Sequence, residues 1–137
     1  MIYITRRENF NSAHKLSRPE WSDEKNVEVF GKCANTNWHG HNFNLFVTVK
    51  GIPSAETGFV IDLKVLSSII KESIIEKLDH KNLNLDVDFM KGIMPSTENL
   101  AIKIWDELEP LLKVHDCQLH SIRLHETENN SVEYFGQ

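Results

Sequence analysis

Residues 43–50 limit the possible folds of this chain more than any other segment. Phe43, Leu45, Val47 and Val49 alternate with Asn44, Phe46, Thr48 and Lys50, a period of two that buries one face of a strand and leaves the other open. Gly51 ends the run. A half-buried strand needs an apolar layer to cover it, and two later segments offer one. Leu66, Ile69, Ile70, Ile74 and Leu78 fall at helical spacing behind Asp62, a candidate N-cap. Leu100, Ile104, Leu108, Leu111 and Leu112 do the same behind Ser96, with Trp105 beside them and Pro110 expected to disturb the last turn. Residues 2–10 read as a strand that continues to His14. Residues 118–126 and 131–135 read as two more around a turn at Glu128-Asn129-Asn130, although alternation in the first of these is imperfect. The order is ββααββ: an α+β fold with a four-stranded antiparallel sheet and both helices on one face. At 137 residues the chain is expected to form one domain, 1–137. Such a sheet keeps one open face and two unpaired edges, which invite pairing with another chain. Oligomerisation into a barrel would cover them.

About 30 residues between the first two strands carry little regular pattern, and long loops in compact domains tend to be functional. This one contains Cys33-Ala34-Asn35-Thr36-Asn37-Trp38-His39-Gly40-His41. In an extended backbone residues i and i+2 point the same way, so His39 and His41 can offer two imidazoles to one metal ion, with Gly40 adding no bulk between them. His14, in the extended stretch Phe10-Asn11-Ser12-Ala13-His14, supplies a third. Three imidazoles with an open fourth position form a common catalytic zinc arrangement. Cys33 then reads as a base or nucleophile.

Composition removes several function classes. With 15 Lys and Arg against 20 Asp and Glu, the net charge is -5, which argues against a general nucleic-acid binder. No apolar run approaches the roughly 18 residues of a membrane span, and Met1-Ile2-Tyr3-Ile4-Thr5-Arg6 lacks the order of a signal peptide. Cys33 and Cys117 do not make a disulfide framework. The expectation is a reduced, cytoplasmic protein with Cys33 a free thiol.

With these elements placed, the chain resembles the 6-pyruvoyl tetrahydropterin synthase family of the tunnelling fold. The resemblance rests on Phe10-x-Ser12-Ala13-His14, Phe30-Gly31-Lys32-Cys33, His39-Gly40-His41-Asn42, Leu78-Asp79-His80-Lys81-Asn82-Leu83, Ser96-Thr97-Glu98-Asn99 and Glu126-Thr127. Each motif is weak alone; six in order across nearly the whole chain are specific. The resemblance implies zinc (Zn2+) held by His14, His39 and His41, Cys33 as the base, Asp79 and His80 as a relay pair, and Glu126 as pterin anchor and member of the proton relay. It places Ser96 and Thr97 against the pterin ring. It further implies a homo-oligomer, a hexamer built as a dimer of trimers, with sites at subunit interfaces, acting on 7,8-dihydroneopterin triphosphate to give 6-pyruvoyl tetrahydropterin and triphosphate, as in tetrahydrobiopterin synthesis. Trp38 departs from the family pattern, in which a small residue commonly precedes His-Gly-His, and is expected to reshape the mouth of the site. His115, His120 and His125 lack motif support and read as surface or sheet residues, while Trp21 and Trp105 read as core or interface.

Three other readings compete. A 6-carboxytetrahydropterin synthase shares the substrate and fold en route to queuosine. The five residues between Cys33 and His39 and the Asn129-Asn130 turn favour the pyruvoyl enzyme over it. A cupin-like metal enzyme also uses His-x-His, but it needs a Glu shortly after the second His, and Asn42 to Val49 contains none. In a non-enzymatic zinc-stabilised interaction module, Cys33 would complete a His3Cys structural site.

Overall fold

The computed structural model describes residues 1–137. Its longest strands have 13 residues each, β1 (Ile2–His14) and β2 (His39–Gly51), paired antiparallel from Ile2↔Gly51 to His14↔His39. Along β1 the even residues, ending in Phe10, Ser12 and His14, face inward; along β2 the odd residues do so, with Phe43, Leu45, Val47 and Val49 fully buried. Inner-face pairs therefore run Phe10↔Phe43, Ser12↔His41 and His14↔His39, so the apolar strip passes directly into the histidines. The rings of Phe10 and Phe43 stack at 4.9 Å.

Five strands, not four, make up the sheet, in the order β3-β1-β2-β4-β5. β4 (Gln118–His125) and β5 (Ser131–Tyr134) extend the antiparallel meander. The extra strand, β3 (Lys81–Asn82), is only two residues long and lies parallel to β1, which makes the sheet mixed. It is too short to show a period of two, and its place is set by backbone bonds from His80 to Asn11 and from Leu83 to Ala13. The imperfect alternation around residue 120 also has a cause. The β2–β4 register slips between Thr48 and Val49, so His120 is an extra residue and both Ser121 and Ile122 turn inward.

The connection between β1 and β2, residues 15–38, holds a helix that sequence periodicity did not reveal. α1 (Asp23–Phe30) starts at Ser22, whose hydroxyl accepts from the Lys25 N–H. Its only buried residue is Asn26, so it carries no apolar stripe. A 3-10 turn, Gly31–Ala34, follows and presents Cys33.

Helices cover one face of the sheet, as expected. α2 (Leu63–Ile70) is capped by the Asp62 carboxylate, continues through a π-helical segment at Lys71–Ile75, and ends in a short turn, α3 (Glu76–Leu78). α4 (Thr97–Leu112) is capped by Ser96 and runs through Pro110 to Leu112. Leu66, Ile70, Ile74, Leu78, Leu100, Ile104, Leu108 and Leu112 are fully buried in one core with the inner faces of β2 and β4. No helix is long and apolar enough to cross a membrane.

Phe43 joins this core to the histidines, with its ring edge-on to His41 at 5.6 Å and to His14 at 6.3 Å. Phe43→Ala should cost about 3–5 kcal/mol in urea unfolding. Phe46→Ala, on the opposite face of the same strand, should cost clearly less.

Candidate functional site

The three histidines converge because strand parity and register agree. His14 and His39 are direct partners at the last pair of the β1–β2 ladder, and His41 lies one inward position back, opposite Ser12. One nitrogen from each lies within 4.8 Å of the others. His14 is buried, and its Nδ1 donates to the carbonyl of Pro95 at 2.7 Å, which leaves Nε2 as a lone-pair donor aimed at the cluster. His14 Nε2, His39 Nδ1 and His41 Nε2 are all shielded from solvent without a hydrogen-bond partner. Buried polar atoms rarely go unpaired. Three of them facing one point fit a metal ion, and the set is purely imidazole, which suits zinc or a similar divalent ion.

Burial is the main influence on all three rings, and it holds each below its ordinary basicity; the neighbouring imidazoles push the same way and Glu126 opposes them. At neutral pH the rings are therefore uncharged and available as ligands.

Glu126 stands just past the end of β4. Its Oε2 is 3.9 Å from His14 Nε2 and its Oε1 is 3.8 Å from His41 Nε2. The Thr97 hydroxyl donates to Oε2, and Thr97 is the first residue of α4, where the helix dipole favours a negative group. Behind it the Thr127 hydroxyl accepts the N–H groups of Asn129 and Asn130, which fixes the turn into β5. A cavity of about 510 Å³ adjoins the cluster, lined by His14, Cys33, Ser96, Thr97, Glu126 and Asn130 among others. Cys33 is a free, half-buried thiol there, and it lies outside the group of converging ligand atoms.

Asp79 and His80 are not brought into that cavity. They follow α3 at the outer edge of β1. The Asp79 carboxylate accepts from the Asn11 N–H at 2.8 Å and lies 3.0 Å from His80 Nδ1. The Asn11 bond is the main cause holding the Asp79 carboxyl below its usual range, and His80 adds to it. The His80 side chain is 82% exposed, and its backbone adopts φ 60°.

Two contributors escaped the sequence. Pro95 acts only through its carbonyl, which no residue-type pattern reveals. Trp38 stands out in the sequence as a departure from the family pattern, but nothing there reveals its left-handed backbone, φ 68°. It does not line the cavity beside the histidines; it faces an outer one, with Lys15 and Trp21.

An α+β fold whose sheet ends in three unpaired imidazoles, with a carboxylate and a thiol at one adjoining cavity, has the layout of an enzyme site that could hold a metal ion. Comparison with known proteins is specific. The family described as 6-pyruvoyl tetrahydropterin synthase matches residues 3–137. The chain is 45% identical over 136 residues to a 6-pyruvoyl tetrahydrobiopterin synthase of Dictyostelium discoideum, covering 99% of this chain and 97% of that protein. The structure of the Caenorhabditis elegans 6-pyruvoyl tetrahydropterin synthase superposes with a TM-score of 0.91 at 33% identity, covering 99% of this chain and 96% of that one. A 6-carboxy-5,6,7,8-tetrahydropterin synthase of Rickettsia typhi is 28% identical over 149 residues, covering 97% of this chain and 99% of that protein. The chain belongs to the 6-pyruvoyl tetrahydropterin synthase family and is a lyase of that type.

The lowered basicity of the three histidines has a measurable consequence. Their folded values lie below the ordinary value of about 6.5. As pH falls below that value, the unfolded chain takes up protons that the folded chain does not, so the metal-free protein should lose stability progressively toward the lower folded values. Urea titrations of metal-free protein at a series of pH values should show this fall, and a His14→Phe variant should show less of it.

Proposed function

We propose that this chain is a zinc-dependent lyase that converts 7,8-dihydroneopterin triphosphate to 6-pyruvoyl tetrahydropterin with loss of triphosphate. The observation that carries the reading is the meeting of Cys33, Thr97, Glu126 and His14 around one cavity, with His14 also one of the three converging imidazoles. Identity of 45% to a pyruvoyl enzyme against 28% to a carboxy enzyme favours the pyruvoyl product. The exclusion of Cys33 from the converging ligand atoms favours an enzyme over a His3Cys structural module.

Held by His14, His39 and His41, zinc would supply Lewis acidity at the side-chain hydroxyls of the substrate. Glu126, with Thr97 fixing one oxygen, would accept hydrogen bonds from the amino group and ring N–H of the pterin, a two-point, charge-assisted fit. Ser96, on the same cavity wall, would border the ring. Cys33 as thiolate would take the proton from the side-chain carbon next to the ring imine. Returning protons to ring positions while triphosphate leaves converts the side chain to a diketone. The ring gains the electrons the side chain loses, so no outside oxidant is required.

His80 and Asp79 lie on the exposed edge of β1 rather than beside Cys33 of the same chain. We therefore assign them to the cavity of a neighbouring copy, where His80 would relay the proton held by Cys33. This fits a hexamer of two stacked trimers, each closing its sheets into a barrel, with residues 1–137 as one domain per subunit working in the cytoplasm.

Mass spectrometry of the product formed from 7,8-dihydroneopterin triphosphate tests the reaction; acetaldehyde release would assign the carboxy enzyme instead. Cys33→Ala should keep its zinc while turnover falls by about 10² to 10⁴, the usual loss for a general base. Zinc loss in that variant would favour the structural module. Refolding a mixture of inactive Cys33→Ala and inactive His80→Ala chains should restore part of the activity, because some interfaces then pair an intact Cys33 with an intact His80. No recovery would place both residues in one chain's site.

A further inference from the structure

The backbone ladder of β1 and β2 ends at His14↔His39, which leaves two metal-facing residues at a strand terminus, where pairing tends to fray. The next position on each strand is Lys15 and Trp38. Their side chains meet, with the Lys15 ammonium 4.9 Å from the centroid of the Trp38 ring, inside cation–π range. Trp38 makes this contact from a left-handed backbone, φ 68°, a conformation that a bulky residue seldom adopts unless its surroundings hold it. Its N–H is bonded to the Asn35 carbonyl at 3.2 Å, so the turn before β2 is closed at the same point. On the other side, Lys15 is gripped by Asn84, whose side chain accepts from the Lys15 N–H at 3.0 Å and donates to its carbonyl at 3.1 Å. Asn84 thus stands in for a further residue of β3. Leu16 bonds to the Cys33 carbonyl at 2.7 Å, which ties the Cys33 turn to the same stretch of chain.

We propose that Lys15 and Trp38 form a clasp across the open end of the ladder that keeps His14 and His39 at ligand distance, making them positioning residues of the metal centre. The indole lines the outer cavity with Lys15, Arg18 and Trp21, and it is absent from the cavity shared by Cys33, Thr97 and Glu126. It therefore acts through His39 and does not touch the substrate. A glycine at position 38 would adopt φ 68° without strain but could not hold Lys15. This chain accepts a strained backbone at that position and gains a side-chain bond between the two strands. The inference rests on the metal reading given above.

The readout is zinc release, measured by the rate at which zinc-loaded protein loses the ion to an excess of chromogenic chelator. Lys15→Met keeps the aliphatic stem and loses the charge; Trp38→Leu keeps an apolar side chain and loses the ring. Each should release zinc about three- to fivefold faster than wild type, which corresponds to an exposed cation–π contact. The double variant should be no faster than either single one, because both break the same bond. Lys15→Arg and Trp38→Phe keep cation and ring and should stay near wild type. Trp38→Gly separates this role from a merely structural one: the backbone strain is relieved, so the metal-free melting temperature should hold, yet release should match Trp38→Leu. Wild-type release in Lys15→Met, or additive effects in the double variant, would overturn the clasp while leaving the metal site standing. Failure of the wild-type chain to take up zinc would overturn the metal reading and the clasp with it.

Discussion

Everything at this site depends on the register of one strand pair. β1 and β2 match from Ile2↔Gly51 to His14↔His39, and the side-chain period of two turns that match into a division of labour. The inward positions of β2 hold Phe43, Leu45, Val47 and Val49 for most of its length, and histidines end the inward face of both strands. A slip of one residue would carry every one of them to the opposite face. The buried area of the core thus fixes the geometry of the histidines. Phe10, Phe43, Leu45 and Val47 cannot move outward without loss of burial, and His14, His39 and His41 share their backbone.

This placement stores an unsatisfied demand at the strand ends. Three ring nitrogens are withdrawn from water without protein partners, a state that costs free energy in the absence of a ligand. The imidazoles resist protonation and keep lone pairs that a divalent cation could take. Glu126 opposes the burial effect from within 4 Å, so the site is neither wholly apolar nor open to bulk water. On the proposed reading, that balance would let the site hold a metal ion and still present a carboxylate to the pterin.

Much of this was legible in the sequence, for a physical reason. The parity of Phe43 to Val49, the His-x-His spacing and the Asp62 and Ser96 caps are local signals, and local signals survive without knowledge of the fold. What could not be read was set by long-range contacts or by backbone state. β3 exists because Asn11 and Ala13 supply bonding partners, not because Lys81 and Asn82 favour a strand. α1 has no apolar stripe, so it left no period. His80 stays out of the cavity that Cys33 lines, beside an Asp79 stapled to Asn11, a pairing across 68 residues. The left-handed Trp38 was hidden because tryptophan is a poor candidate for that conformation, and only tertiary context overrides the preference.

The π-helical segment at Lys71–Ile75 has a geometric effect beyond its own turn. Leu66, Ile70, Ile74 and Leu78 are spaced by four, and on a regular helix of 3.6 residues per turn each such step drifts about 40° around the axis. The wider π turn takes back part of that drift, so the buried stripe stays over the sheet to its last residue. Leu78 is that residue, and its carbonyl receives the Ser12 hydroxyl at 2.6 Å immediately before Asp79 and His80. The irregular turn therefore works as a phase adjuster. It sets the rotation at which the chain leaves the helix toward Asp79 and His80.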